Sequence, residues 1–418
     1  MNNLQEVAER CMLCKKPRCK QRCPISTPIP DIIKLFKEQQ IEEAGKVLFD
    51  NNPLSAICAI VCPHEKQCAG NCVKGLKGDP VEFYKIEKYI STNYMDSVQF
   101  KQKKPYKDRV AIVGSGPSGL TVAFILASKG YRLTIFEAQE KIGGVLRYGI
   151  PEFRLPKEIL DKVQEKLVQL GVKIRPNTLV GPVLTIDKLF FDGYKAIFLG
   201  TGVWNPKTLD IKGETLGHVH YAIDYLKDPT VYELGKKVCV IGAGNVAMDV
   251  ARTAKRRGAE LVTVLSRESF ADMPAAQAEL NSAKQEGIIF ETNRAPLEIL
   301  DEGVVCVETR KTADPEGNSR YVSLNNTKHY YECDSVIIAI SQAPRNNIVA
   351  NTRGIETTPE GLVITDEFGN TTRPGVFASG DVVTGSGTVS QAVNSAKIVA
   401  EAIDQYCTLH RSKDLDIA

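Results

Sequence analysis

The sequence predicts an α/β protein in which a helical, cysteine-rich N-terminal segment precedes two dinucleotide-binding units. Three observations carry that prediction. Eight of the twelve cysteines lie between Cys11 and Cys72. A glycine fingerprint opens at Gly114, between an apolar run and a helical one. A second fingerprint of the same build opens at Gly242.

The chain has 418 residues, enough for two or three domains with cores of their own. Its 53 basic and 50 acidic residues leave a net charge of +3, too balanced to argue for nucleic acid. No apolar run reaches membrane-spanning length, so no membrane partner is expected. The opening stretch, MNNLQEVAERCMLC, lacks the charged-then-apolar build of a secretory signal, and a cytoplasmic location is expected. Thiols stay reduced there, which favours metal binding over disulfides.

The cysteines read C-x2-C-x4-C-x3-C-P (Cys11, Cys14, Cys19, Cys23), then C-x3-C-P-x5-C-x3-C (Cys58, Cys62, Cys68, Cys72). Clustered thiolates bind soft metals, iron–sulfur clusters above all. A zinc site or a disulfide knot are the alternatives. Zinc sites usually pair one CxxC with another or with histidines, whereas the second half here has x3 and x5 gaps and only His64 nearby.

Residues 1–97 read as helical. Ile32, Ile33, Phe36, Ala44, Val47 and Leu48 recur at helical spacing, and a second helix is expected over PVEFYKIEKYISTNY. Residues 98–108, rich in lysine, read as a solvated linker. RVAIV (109–113) is then an apolar strand, and Gly114, Gly116, Pro117 and Gly119 open a helix. The next strand, YRLTIFE, ends in Glu137. Glycines in this pattern let backbone approach a pyrophosphate at the positive end of a helix, while the terminal acid suits a ribose.

KVCVIGAGNVAMDVART repeats the pattern with Gly242, Gly244 and Ala247. Its second strand, LVTVL, leads to Ser266-Arg267-Glu268, not a single acid. KAIFLGTG and SVIIAIS read as the last strand of each nucleotide unit. Near the C-terminus, GVFASGDVVTGSGTVSQAV gives a strand, Gly380-Asp381, and a helix from about Thr388. An acid after a strand and facing a helix start suits the sugar–phosphate part of a flavin dinucleotide.

The stretches RCMLCKKPRCKQRCP, NNPLSAICAIVCPHEKQCAGNC, AIVGSGPSGL, KIGGVLRYGIPEFRLP, VIGAGNVAMDVART, SRESFADMPA and FASGDVV together resemble one family. It comprises NAD(P)H-oxidising FAD/iron–sulfur subunits: the small subunit of bacterial glutamate synthase and the N-terminal half of dihydropyrimidine dehydrogenase. The resemblance is nearest to the NADH-dependent subunit of bacterial dihydropyrimidine dehydrogenases. It implies a helical double [4Fe–4S] domain followed by two Rossmann-like domains of glutathione-reductase type. The iron–sulfur domain would cover 1–97, and the FAD domain 109–220 and 344–418, interrupted by an NAD(P) domain at 221–343.

The resemblance also implies interleaved ligands. One cluster would use Cys11, Cys14, Cys19 and Cys72; the other would use Cys23, Cys62, Cys68 and Glu87. Cys58 would be left as a buried thiol behind the ligands. Gly143, Gly144, Val145 and Arg154 would line the flavin, with Gly380, Asp381, Thr388 and Val389. Ala243, Gly244, Asn245 and Val246 would hold the nicotinamide dinucleotide's pyrophosphate, with Arg267 beside its adenosine ribose. Ala396 stands where the family often has glycine.

Relatives that use NADPH often carry two adjacent basic residues where this chain has Arg267-Glu268, so NADH is favoured over NADPH. The implied chemistry is hydride transfer to FAD, then single-electron release to two clusters, with no catalytic side chain required. No C-x-x-C lies beside the second fingerprint, so a thioredoxin-reductase-like dithiol is not expected. The chain has no second large catalytic domain. A catalytic partner is therefore expected, foremost an FMN/iron–sulfur barrel subunit of a dihydropyrimidine dehydrogenase. Glutamate synthase, and a ferredoxin-linked or bifurcating transhydrogenase with a ferredoxin-like acceptor, are the alternatives.

Overall fold

The computed structural model describes residues 2–102, 107–313, 319–345 and 347–415. Of the expected linker, residues 103–106 lie outside the described residues. The chain divides into two units. The first comprises Met1–Arg147, Glu152–Val203 and Ala343–Ala418; the second comprises Tyr148–Pro151 and Trp204–Gln342.

The first unit begins with helices at Asn2–Glu9, Ile29–Lys37, Ile41–Asn51, Ser55–Val61 and Phe83–Ser97. Their apolar stripes meet in one core in which Ile32, Ile33, Ala44, Leu48, Ile86 and Ile90 are fully buried. The apolar stretch read as one helix is two, broken at Gln39, whose φ is +58°. There Gln39 N–H donates to the Phe36 carbonyl and Gln40 N–H to that of Leu35, the paired bonds of a Schellman stop.

A parallel five-stranded sheet follows, in the order Val376–Ala378, Tyr194–Leu199, Arg109–Val113, Arg132–Phe136, Lys173–Arg175. KAIFLGTG is thus not the last strand of its unit, because Val376–Ala378 adds an edge beyond it. Helix Pro117–Ser128 packs against the long helix Val389–Leu415. The Phe49 ring anchors the N-terminal helices to this layer, lying 5.0 Å from Phe100 and 5.4 Å from Phe124.

The second unit is another parallel sheet, ordered Val219–Tyr221, Ser335–Ile338, Lys237–Ile241, Leu261–Ser266, Ile289–Thr292. Beside it stands an antiparallel meander of Arg294–Leu300, Gly303–Ala313 and Ser319–Glu332. The main segment of this unit starts at Trp204, ahead of the expected insert boundary at 221. Backbone bonds account for the difference: Lys207 N–H donates to Ser341 and Ile299 N–H to Lys212, binding 207–212 into the second unit. Among the described residues, no helix is long and apolar enough to cross a membrane.

Candidate functional site

Helix ends present the cysteines. Cys23 follows the short helix Arg18–Arg22, Cys62 follows Ser55–Val61, and Cys72 follows the 3-10 turn Ala69–Asn71. All twelve cysteines are free thiols. Seven of the eight between Cys11 and Cys72 form two groups that cross the sequence. Cys11 and Cys19 each feel the charge of Cys14 and Cys72, and burial pushes the Cys19 thiol up to about 11. Cys68 instead feels Cys23, Cys62 and Glu87.

The second group lines a small cavity together with Cys58, Ser390 and others: Cys23, Cys62, Cys68 and Glu87 all face it. Glu87 projects from helix Phe83–Ser97 and is only 7% exposed. Its Oε1 accepts a 2.8 Å hydrogen bond from Ser55 Oγ. Burial pushes its carboxyl up to about 7, and among the described residues no ion pair offsets it. A buried carboxylate in this position calls for a cationic partner or a proton. The Cys62 thiol is likewise held well above its usual value by its bond to Cys58 and by burial.

Among the described residues, no three Cys, His, Asp or Glu side chains converge on a single ion. One zinc ion draws its sulfurs to about 2.3 Å from a common point. These side chains surround a space instead, which fits a multi-atom cluster that would neutralise the thiols and the carboxylate together. His64 also lines this cavity. It stacks on Tyr84 at 4.2 Å, with Nε2 against the Ala59 carbonyl at 3.2 Å and Nδ1 3.8 Å from the Cys68 sulfur.

The flavin residues expected from the sequence come together in the same unit. Gly114 has φ +95°, and a Cβ there would lie 2.5 Å from the Gly200 carbonyl oxygen. Gly144 has φ +51°, and its Cβ would meet the Gly116 Cα at 2.8 Å, so the Gly143-Gly144 turn rests on the fingerprint loop. A Cβ on Gly116 would meet nothing closer than 3.9 Å, which leaves the loop open to a pyrophosphate. Pro117 opens the helix, and Gly119 packs it against the first strand.

Glu137 is buried, accepting from Ser115 N (3.0 Å) and Ser115 Oγ with one oxygen and from Gln139 N (2.8 Å) with the other. Gly380 sits against the Ser118 hydroxyl, so the second motif closes on the first. Burial raises Asp381 to about 6, and the buried Ser379 hydroxyl has no hydrogen-bond partner among the described residues. A raised carboxyl and an unpartnered hydroxyl beside an open glycine loop fit a polar dinucleotide.

Thr388 caps helix Val389–Leu415. Thr388 N–H donates to Gln391 Oε1 (2.9 Å) and Gln391 N–H to Thr388 Oγ1 (3.3 Å). Val389 is half-buried, and Ala396 is fully buried further along this helix. Val145 is exposed at the start of a short helix and Arg154 is half-buried in a turn.

In the second unit, Gly242 has φ +142° and lies against the Ala339 carbonyl, while a Cβ on Gly244 would meet nothing within 4 Å. That opening, ahead of helix Asn245–Arg256, again fits a pyrophosphate. Ala243 and Ala247 are buried and Val246 is half-buried. Asn245 Oδ1 is engaged by the Ala276 N–H at 2.8 Å, so its carbonyl shapes the loop. Arg267 follows strand Leu261–Ser266, is exposed, and donates from Nε to Glu268 Oε1 at 2.9 Å.

Three residues at or beside the cysteine cavity escape sequence reasoning. Ser55 holds Glu87, Gln67 Nε2 donates to Ser390 Oγ at 3.0 Å, and Ser390 reaches the cavity from the C-terminal helix. None sits in a recognisable spacing, and Ser390 lies more than 300 residues from the cysteine it faces.

Residues 188–397 match the pyridine nucleotide-disulphide oxidoreductase family. Residues 1–99 match the family described as dihydropyrimidine dehydrogenase domain II, 4Fe-4S cluster, and residues 112–158 an NAD(P)-binding Rossmann-like domain. The glutamate synthase [NADPH] small chain of Escherichia coli is 32% identical, over 95% of this chain and 90% of its own. The NAD-dependent dihydropyrimidine dehydrogenase subunit PreT of Salmonella typhimurium is 31% identical, over 96% and 93%. FprA from Mycobacterium tuberculosis in complex with NADPH shares the fold, with a TM-score of 0.63 at 18% identity over 74% of this chain and 86% of that one.

Fold, site and matches together define an NAD(P)H-dependent FAD/iron–sulfur oxidoreductase. Within that class the chain belongs to the family of glutamate synthase small chains and PreT-type dihydropyrimidine dehydrogenase subunits.

Proposed function

We propose that this chain is the NADH-oxidising input subunit of a dihydropyrimidine dehydrogenase, holding FAD and two [4Fe–4S] clusters and serving a separate catalytic subunit. The observation that carries this reading is the packing of the cysteine cavity and the flavin motifs within one unit: Ser390, which lines the cavity, directly follows Val389. Residues 1–97 would carry the clusters, 109–220 and 344–418 the flavin, and 221–343 the nicotinamide.

Bound FAD would take a hydride from the nicotinamide, and the clusters would carry its electrons away singly. The chain's own residues bind and orient. Gly114, Gly116 and Gly119 would admit the flavin pyrophosphate and Glu137 its ribose, with Gly143, Gly144, Val145, Arg154, Gly380, Asp381, Thr388 and Val389 around the rest. Cys11, Cys14, Cys19 and Cys72 would hold one cluster; Cys23, Cys62, Cys68 and Glu87 the other. Gly242, Ala243, Gly244, Asn245, Val246 and Ala247 would receive the nicotinamide dinucleotide.

The Arg267–Glu268 ion pair supports NADH. The guanidinium is already engaged, and the adjoining carboxylate would repel a 2′-phosphate. Thiolate ligation requires reduced cysteines, which agrees with a cytoplasmic location. A glutamate synthase large subunit is the second candidate partner, since the small chain of that enzyme is similar along nearly the whole length.

Stopped-flow reduction of the anaerobically purified protein by NADH and by NADPH tests the reading. Rapid bleaching by NADH, with NADPH much slower, is expected. Faster reduction by NADPH would refute the nucleotide choice and move weight to glutamate synthase. No reduction by either, with about eight irons and one flavin bound, would overturn the whole proposal. Pyrimidine-dependent electron transfer on adding a flavin-barrel subunit identifies the partner.

A further inference from the structure

We propose that Ser390 is a positioning residue whose hydroxyl donates to the Cys62 sulfur, ties the flavin-side helix to the second cluster and sets that cluster's reduction potential. This rests on the proposed ligand set of Cys23, Cys62, Cys68 and Glu87.

Ser390 is 1% exposed and is the second residue of helix Val389–Leu415. It therefore stands beside Thr388 and Val389 on one side and lines the cysteine cavity on the other. Its oxygen accepts from Gln67 Nε2 at 3.0 Å. That bond uses a lone pair and leaves the hydroxyl proton to be given elsewhere. Two acceptors face it: Thr388 Oγ1 at 3.2 Å, and the Cys62 sulfur, which lines the same cavity.

Thr388 Oγ1 is already part of the helix cap, donating to Gln391 Oε1 at 2.8 Å and accepting from Gln391 N–H. A metal-ligating Cys62 is a thiolate, and a charged sulfur is the stronger claimant on the proton. Gln67 belongs to the same loop as Cys62 and Cys68, so its amide fixes the hydroxyl's orientation from the cluster side.

The same helix contributes a second contact two turns on. Lys397 Nζ donates to Asn51 Oδ1 at 3.1 Å and lies near enough to Cys23 for the thiolate charge to act on it. Ser390 and Lys397, seven residues apart, share one helical face. A hydrogen bond to a ligand sulfur favours the more electron-rich state of a cluster and raises its potential.

The test uses the complete protein, purified anaerobically, with iron and flavin counted and both clusters followed by EPR during a redox titration. Ser390→Ala is expected to retain both clusters and the flavin. At a fixed ambient potential the reduced-to-oxidised ratio of one cluster should fall about tenfold, equivalent to 59 mV for one electron. The other cluster should not move, and Ser390→Thr should restore the first. A fully loaded Ser390→Ala protein with both potentials unchanged overturns the proposal.

If Ser390→Ala loses iron, Gln67→Met decides. It releases the hydroxyl from its fixed orientation and should shift the same cluster in the same direction by roughly threefold. No shift would again overturn the proposal. Cys62→Ser probes the ligand set separately: retention of about eight irons with unaltered spectra would sink that reading without reference to Ser390.

Discussion

Asp381 and Glu87 are carboxylates raised by the same cause, burial without an ion pair, to about 6 and about 7. They were not equally legible in the sequence. Asp381 follows a strand and a glycine, a position with a stated use. Glu87 stands in KIEKYI and reads as a surface glutamate until family resemblance points to it; the structure buries it because Ile86 and Ile90 on either side belong to the core. Asp381 gives a prediction at this scale. Its folded value lies above its ordinary 3.8, so the flavin-free protein has its full contribution below about pH 4 and loses it as pH rises through about 6. Asp381→Asn should flatten that decline when melting temperature is measured from pH 4 to 7 on flavin-stripped protein. Parallel curves for the two proteins would contradict it.

Secondary elements were legible where glycines or apolar runs announce them. Strand–glycine–helix units open at Gly114 and Gly242, and the last helix begins one residue after Thr388. The stop at Gln39 was not legible, because glutamine carries no preference for the left-handed turn that two backbone bonds impose there. Nor was the 294–332 meander, whose strands alternate weakly and are stabilised mainly by pairing with one another. The Thr388–Gln391 cap gives the prediction for elements. Thr388→Ala should lower stability by about 1 kcal/mol in denaturant unfolding, and Thr388→Ser should recover most of it. An unchanged midpoint would show that the cap contributes nothing beyond packing.

Across the whole molecule, the order of strands and the join between the cysteine cavity and the long C-terminal helix depend on contacts hundreds of residues apart, which local pattern does not encode. The Gln67–Ser390 bond is such a contact. It also shapes a prediction about metal. Stripping iron leaves four thiols and a raised carboxyl around an empty cavity, so the first unit should melt at lower temperature. The second unit has its own core around Val240, Val250 and Val262, and its transition should stay in place. Calorimetry resolves the two; equal shifts in both would contradict the prediction.

The crossing of the cysteine groups has a consequence for biosynthesis. In the proposed ligand sets Cys23 goes with Cys62 and Cys68, while Cys72 goes with Cys11, Cys14 and Cys19. Neither group is complete when the first loop leaves the ribosome, and the second closes only once Glu87 follows. A nascent chain cannot finish one site and then begin the other. With these ligand sets neither site would be complete before Cys72 is made, so metal delivery to this segment would come late in synthesis.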